Sequence, residues 1–144
     1  MRGREIPVLG VYQILDANAN RAREGLRVVE EVFRFVRKDV AVTRRLKAMR
    51  REVASIISNS RIEPCLLRDS RNSKRDPGRF IHGTGQMTRT SLEDILSANL
   101  HRVSEALRVL EEFSKLLDAR ASKKFKDLRF RFYDLEKATH EALT

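Results

Sequence analysis

The sequence predicts an all-α protein, a duplicated helical hairpin that closes into a four-helix bundle with a pseudo-two-fold axis and a long central loop. Three observations predict it. Apolar residues recur three or four apart over long stretches, the period of a helix with one buried face. A mixed pattern in the first stretch, Ala17-Asn18-x-x-Arg21-x-x-Glu24-x-Leu26-Arg27-Val28-x-Glu30-Glu31, returns as Ala98-Asn99-x-x-Arg102-x-x-Glu105-x-Leu107-Arg108-Val109-x-Glu111-Glu112. Turn formers gather between residues 59 and 90, with Pro64, Pro77, Gly78, Gly83 and Gly85. Strand-like runs are too short and isolated to build a sheet.

The elements follow in order. Residues 1–10 read as an irregular arm, with Val8 and Leu9 between Pro7 and Gly10 as an extended cap. The first helix is expected from Val11–Gln13 to about Lys38, burying Ile14, Ala22, Gly25, Leu26, Val29, Val32, Phe33 and Val36. Asp39 breaks it or caps the next helix, Val40 to Ser58, whose stripe is Val42, Leu46, Met49, Val53 and Ile56. The opposite face, Arg44, Arg45, Lys47, Arg50 and Arg51, is expected to face solvent. Ser91 is placed as the N-cap of a third helix ending near Leu117–Asp118, with Glu93 and Asp94 complementing its dipole. A fourth, Ser122 to Leu143, buries Phe125, Leu128, Phe132, Leu135 and Ala142. Lys47-Ala48-Met49-Arg50 aligns weakly with Lys126-Asp127-Leu128-Arg129, extending the duplication to the second and fourth helices. The repeats span about 11–60 and 91–143, all within one domain, 1–144.

Composition bounds the partners. At 144 residues with 41% hydrophobic content, the chain can bury a core without disulfides or a structural metal. One cysteine, Cys65, forms no internal bridge and is expected to be buried; His82, His101 and His140 lack metal-ligand spacing. No apolar run reaches membrane-span length and the N-terminus lacks a signal-peptide core, so a soluble cytoplasmic protein is expected. The net charge of +10 attracts phosphates, nucleotides, nucleic acid or acidic lipid, or belongs to a solvated helical surface. Nucleic acid is disfavoured: aromatics are 6%, tryptophan is absent, and the basic residues lie among acidic ones.

The repeated stripe carries the candidate chemistry. Helical phase places Asn18 and Arg21, and their counterparts Asn99 and Arg102, inward or in a groove. Arg27, Glu30, Arg108 and Glu111 are expected to face outward as surface pairs or a subunit contact. A buried Arg or Asn needs partners, because leaving it unpaired costs several kcal/mol. Two readings stay open. The Asn-Arg-Glu sets are networks that fix helix crossing, or they project into a cavity that holds phosphate and Mg²⁺. The loop's Arg68-Asp69-Ser70, Arg71, Lys74, Arg75, Asp76-Pro77-Gly78-Arg79 and His82-Gly83-Thr84-Gly85 supply groups for a phosphate and Mg²⁺ site, or form a polar linker. No Walker motif is present.

The doubled motif, extended as Asp16-Ala17-Asn18-x-x-Arg21-Ala22-x-Glu24-Gly25-Leu26-Arg27-Val28-x-Glu30-Glu31, resembles the signature of a small helical family of thiamin biosynthesis. Members stand alone or are fused N-terminal to thiamin-phosphate synthase. The resemblance covers nearly the whole chain and implies an ATP-dependent hydroxymethylpyrimidine-phosphate kinase, unrelated in sequence to the ribokinase-like enzyme. It implies ATP and Mg²⁺, a phosphorylated pyrimidine substrate and, for a chain ending at Thr144, action alone or with a separate synthase; homo-oligomerisation stays open. The loop departs from the family pattern: Arg68-Asp69-Ser70 matches, but Asp76-Pro77-Gly78-Arg79 stands where Asp-Val-Gly-Thr is usual. For that reaction, charge and geometry assign Arg21, Arg102 and Arg68 to phosphate oxygens and Glu24, Glu105 and Asp69 to Mg²⁺. Asn18, Asn99 and Ser70 are assigned to the substrate and Asp76 to a base. The alternatives are a non-catalytic ligand-binding or interaction module accompanying a synthase, and a basic nucleic-acid binder.

Overall fold

The computed structural model describes residues 5–81 and 88–143. Five α-helices follow in order: α1 (Val8–Glu31), α2 (Val40–Ser58), α3 (Pro64–Asp69), α4 (Leu92–Ser114) and α5 (Ala119–Leu143). No strand occurs among the described residues, so the all-α prediction holds. The four long helices are the predicted ones. The arm differs: Val8 and Leu9 are exposed and begin α1 rather than capping the bundle.

The helix starts follow cap chemistry. The Asp39 side chain accepts a hydrogen bond from Val42 N, and the Ser91 hydroxyl accepts one from Asp94 N, each satisfying an otherwise orphaned amide. Pro64 opens α3, where its missing N–H is not needed.

The end of α1 departs from the predicted period. Residues Val32–Val36 form a π turn, closed by Arg37 N donating to Val32 O at 3.0 Å. A π turn takes more residues than an α turn, so the apolar phase slips. Phe33 stays fully buried while Phe35 and Val36 turn outward, against the expectation for Val36. The chain leaves through Lys38, which sits in the left-handed region with φ 55°, and Asp39 N closes on Phe33 O at 2.9 Å.

The long helices form a ring of neighbours, α1–α2–α5–α4, and α1 and α4 share the most extensive contact. They run antiparallel: Arg37, just past α1, lies 3.8 Å from Glu93 in the first turn of α4, while mid-helix Gly25 meets Asn99 and Val103. Only a glycine admits that approach. A Cβ at Gly25 would lie 2.7 Å from Val103 Cγ2 and 3.1 Å from the Asn99 carbonyl oxygen. Phe33, Phe125 and Phe132 fill the centre with Leu15, Leu26, Leu46, Leu107, Leu110, Leu128 and Leu135. Ala142 lies outside this core, exposed near the end of α5.

The central segment is less loop-like than its composition implies. After α3 come two 3₁₀ turns, Ser73–Arg75 and Pro77–Phe80. Ile62 and Leu67 pack it onto the core, and Asp118 at the α4–α5 corner accepts from Arg61 N at 3.0 Å. Cys65 is exposed, contrary to expectation, because the short α3 buries only Leu67. His82-Gly83-Thr84-Gly85 lies outside the described residues.

Candidate functional site

The inner part of the repeated stripe is divided between core and solvent. Asn18 is buried, and its amide nitrogen donates to Ile14 O at 2.8 Å; Asn99 repeats this with Ile95 O, also 2.8 Å. Both asparagines thus bond the preceding turn of their own helix. Arg21, Arg102, Glu24 and Glu105 are exposed, and the inward placement of the two arginines is not observed. Arg21 falls one residue past the buried arc, and a long cationic side chain at such an edge reaches water more cheaply than it accepts burial.

The part of the stripe expected outside supplies the buried charges. Glu30 is 1% and Glu111 3% exposed. Each is gripped by an arginine from the second helix of its hairpin: Arg50 Nε to Glu30 Oε2 at 3.0 Å, Arg129 Nε to Glu111 Oε2 at 2.7 Å. Arg27 and Arg108 sit above these pairs, bridging to Glu30 and Glu31, and to Glu111 and Glu112. Burial pushes the Glu111 carboxyl up, but Arg129 and Arg108 outweigh it and hold the group below its ordinary value. Among the described residues no buried side-chain nitrogen or oxygen lacks a hydrogen-bond partner. The duplicated network is therefore the structural part of the motif. Arg50 is not a solvent-facing cation, and its alignment with Arg129 was the sequence signal for this pairing.

The central segment docks on α1, so the first copy differs from the second. Arg71 reaches the buried Asp16 carboxylate through two hydrogen bonds, Nε to Oδ2 at 2.6 Å and NH2 to Oδ1 at 2.9 Å. The hydrogen bond and the charge of Asp16 hold the guanidinium above its ordinary value. Gln13 donates to the Ser70 carbonyl at 2.9 Å, and Tyr12 Oη accepts from Glu63 N at 3.3 Å. Ser70 is buried, its hydroxyl donating to Leu67 O at 2.7 Å, so that hydroxyl caps α3. Arg68 and Asp69 project outward, 3.8 Å from each other. Asp76 accepts from Gly78 N at 2.8 Å and starts the second 3₁₀ turn.

Along the same face of α1 runs a groove of about 310 Å³ lined by Asn20, Arg23, Glu24, Arg27 and Arg50. Gln13, Asp16, Asn20, Arg23 and Arg27 recur at helical spacing, so docked segment and groove share one polar face. Arg23 donates to Asn20 Oδ1 at 2.6 Å and has no carboxylate partner among the described residues. Arg27 and Arg50 are already paired with Glu30 and Glu31, so Arg23 is the guanidinium at this small opening left to meet an anion. Of the residues assigned from sequence, only Glu24 lines this groove. Asp16, Asn20, Arg23 and Arg71 were not assigned to it. A signal for them existed in the departures from repetition: the equivalents of Asp16, Asn20 and Arg23 are Ser97, His101 and Ser104. Glu24, Glu105 and Asp69 lie on three different helices, and no three His, Cys, Asp or Glu side chains among the described residues gather as a metal site.

A family model described as the ThiD2 family matches residues 13–138. Thiamine-phosphate synthases are similar over most of this chain. That of Thermosynechococcus vestitus is 43% identical over 126 residues, 88% of this chain and 34% of the relative. That of Nostoc punctiforme is 41% identical over the same share of each chain. That of Rhodopirellula baltica is 37% identical over 123 residues, 85% of this chain and 32% of the relative. The chain thus spans about a third of the length of these relatives. No solved structure matches it.

Proposed function

The chain belongs to the ThiD2 family, and from that premise we propose that it is an ATP-dependent phosphotransferase of thiamin biosynthesis, converting hydroxymethylpyrimidine monophosphate to the diphosphate. The observation that carries the reading is the arginine-lined groove on the one face of α1 where the central segment docks. The relatives' name supports the pathway, and the resemblance of the doubled motif supports the kinase. In the reaction, an oxygen of the substrate's phosphate attacks the terminal phosphorus of ATP. A P–O–P bond forms, the β–γ bridge breaks and ADP leaves. The nucleophile is already anionic, so no base is needed and Asp76 keeps its turn-capping role. Catalysis is then mostly positioning and charge neutralisation.

Arg23, oriented by Asn20, would hold substrate phosphate in the groove, beside Arg27 and Arg50, which stay paired with Glu30 and Glu31. Arg68, two residues before the docked Ser70, projects outward and would exchange its loose pairing with Asp69, 3.8 Å away, for a phosphate. Mg²⁺ fits as an ion carried by ATP, which needs only one or two protein carboxylates beside the phosphate oxygens. Glu24 is the carboxylate that lines the groove. Arg21, Arg102, Asn18, Asn99, Glu105 and Asp69 have no place in this arrangement beyond the bundle surface and core.

The test is turnover of ATP, Mg²⁺ and hydroxymethylpyrimidine monophosphate by wild type, Arg23→Ala and Arg102→Ala. Activity lost in Arg23→Ala and kept in Arg102→Ala is expected. A folded wild-type protein with no turnover sinks the kinase. A second reading, a non-catalytic module that accompanies a synthase, is favoured by the match to only a third of each relative. Co-purification with a synthase without turnover would promote it. Salt-sensitive binding of nucleic acid in place of turnover would promote a nucleic-acid binder.

A further inference from the structure

A second groove lies apart from the α1 groove. A basic groove of about 650 Å³ opens where the π turn hands over to α2, lined by Arg34, Lys38, Asp39, Val40, Thr43, Arg44, Lys47, Ala48 and Arg51. Four features meet there. First, five cations line it against one carboxylate, and among the described residues none of the five makes an ion pair. Second, that carboxylate, Asp39, is already engaged by Val42 N, so neither it nor the helix terminus explains the charge. Third, the π turn carries Arg34 into the groove, and such turns cluster at functional positions. Fourth, Lys38 occupies a left-handed residue where glycine is the unstrained choice, and strain kept at one position points to a role for the side chain.

Unpaired like charges repel, and a polyanion relieves that repulsion by taking several at once. Val40, 68% exposed, and Ala48 add apolar surface beside the cations, which suits a ligand with a flat organic part as well as phosphates. The volume lies within the roughly 300–1,000 Å³ of small-ligand sites. The groove also adjoins the α1 groove in sequence, since Arg50 lines one and Arg51 the other.

We propose that this groove binds the polyphosphate chain of a nucleoside triphosphate, held by Arg44, Lys47 and Arg51 of α2 with Arg34 and Lys38 at its mouth. The identity of the ligand as the phosphoryl donor rests on the phosphotransferase reading; the existence of the anion site does not.

Calorimetric titration of the full chain with ATP and with inorganic tripolyphosphate, at low and moderate salt, tests it. ATP binding tighter than tripolyphosphate is expected, and Lys47→Gln/Arg51→Gln should weaken ATP by about tenfold or more. Lys123→Gln/Lys124→Gln on α5 removes the same charge elsewhere and should leave binding within about twofold, as expected for remote, solvent-screened charges. Tripolyphosphate binding as tightly as ATP overturns the nucleotide assignment. No binding, or equal loss in both double variants, overturns the site. Binding retained without turnover would overturn the kinase and leave this site standing. Turnover with an unchanged KM for ATP in Lys47→Gln/Arg51→Gln would do the reverse.

Discussion

The Arg129 guanidinium lies 2.7 Å from the buried Glu111 carboxylate and ties α5 to α4, as Arg50 ties α2 to α1 through Glu30. Removing one partner of a buried pair leaves an uncompensated charge, which costs more than the pair gains. Arg129→Ala should therefore destabilise the bundle by about 3 kcal/mol, measured by urea unfolding. Replacing both partners, Glu111→Leu with Arg129→Met, should recover most of that loss.

Acid should weaken the same contact. The folded-state Glu111 carboxyl is held below its ordinary 4.5, so its contribution is complete above that value and is lost as pH falls through the folded pKa. Asp94, Glu112 and Asp118 are shifted the same way, by Thr90, by Lys115 and by the Arg61 amide respectively. Stability should fall steeply below about pH 4.5. The gap between wild type and Glu111→Gln should narrow over that range, and a gap constant from pH 3 to 7, spanning the carboxylate range, would refute the assignment.

At the α1–α4 crossing, Gly25→Ala forces a methyl group against Val103 and the Asn99 carbonyl. Alanine's helix propensity offsets about 1 kcal/mol of this. Val103 is β-branched and fully buried, so it cannot swing away. A net loss of about 1–2 kcal/mol is expected. Adding Val103→Ala should recover part of it, which a double-mutant cycle would read as favourable coupling.

Breaking the Arg71–Asp16 contact should act locally. Arg71→Ala removes both hydrogen bonds to the buried carboxylate and frees the segment after Ser70. Limited proteolysis should cut between residues 71 and 81 faster than in wild type, with the global unfolding midpoint shifted little. Equal protection in both proteins would mean that Ile62, Leu67 and the Gln13–Ser70 hydrogen bond hold the segment without Arg71.

Lys38→Gly should move stability and binding in opposite directions. It relieves the left-handed strain and should stabilise folding by about 0.5–1 kcal/mol, net of the added unfolded-state entropy. It also removes a cation from the basic groove, so ATP binding should weaken. A variant both more stable and equally tight would leave Lys38 without a ligand role.

Much of the fold was legible because helices report themselves locally. The caps Asp39 and Ser91 and the stripes of α2, α4 and α5 follow from spacing and side-chain chemistry. The π turn was not legible, since no residue in Val32-Phe33-Arg34-Phe35-Val36 announces an extra residue per turn. The site was read less well. Helical phase put Arg21 at the inward edge of the buried arc and Glu30 outside it, and the structure reverses both, because only the partner helix decides which side of the arc is covered. Arg50 reaches Glu30 across the hairpin and makes its burial affordable; among the described residues no carboxylate pairs with Arg21.

By itself, the sequence determined the helical class, the duplication and the residue types available for binding phosphate, because periodicity and repetition are properties of the chain alone. The tertiary structure decided which copies of those residues are alike and which are not. The doubled Glu–Arg pairs became the frame. The unrepeated Asp16 became the anchor of the central segment, and the unrepeated Asn20 and Arg23 line the groove beside it on α1. That choice depends on contacts between residues more than fifty positions apart, and no local pattern encodes them.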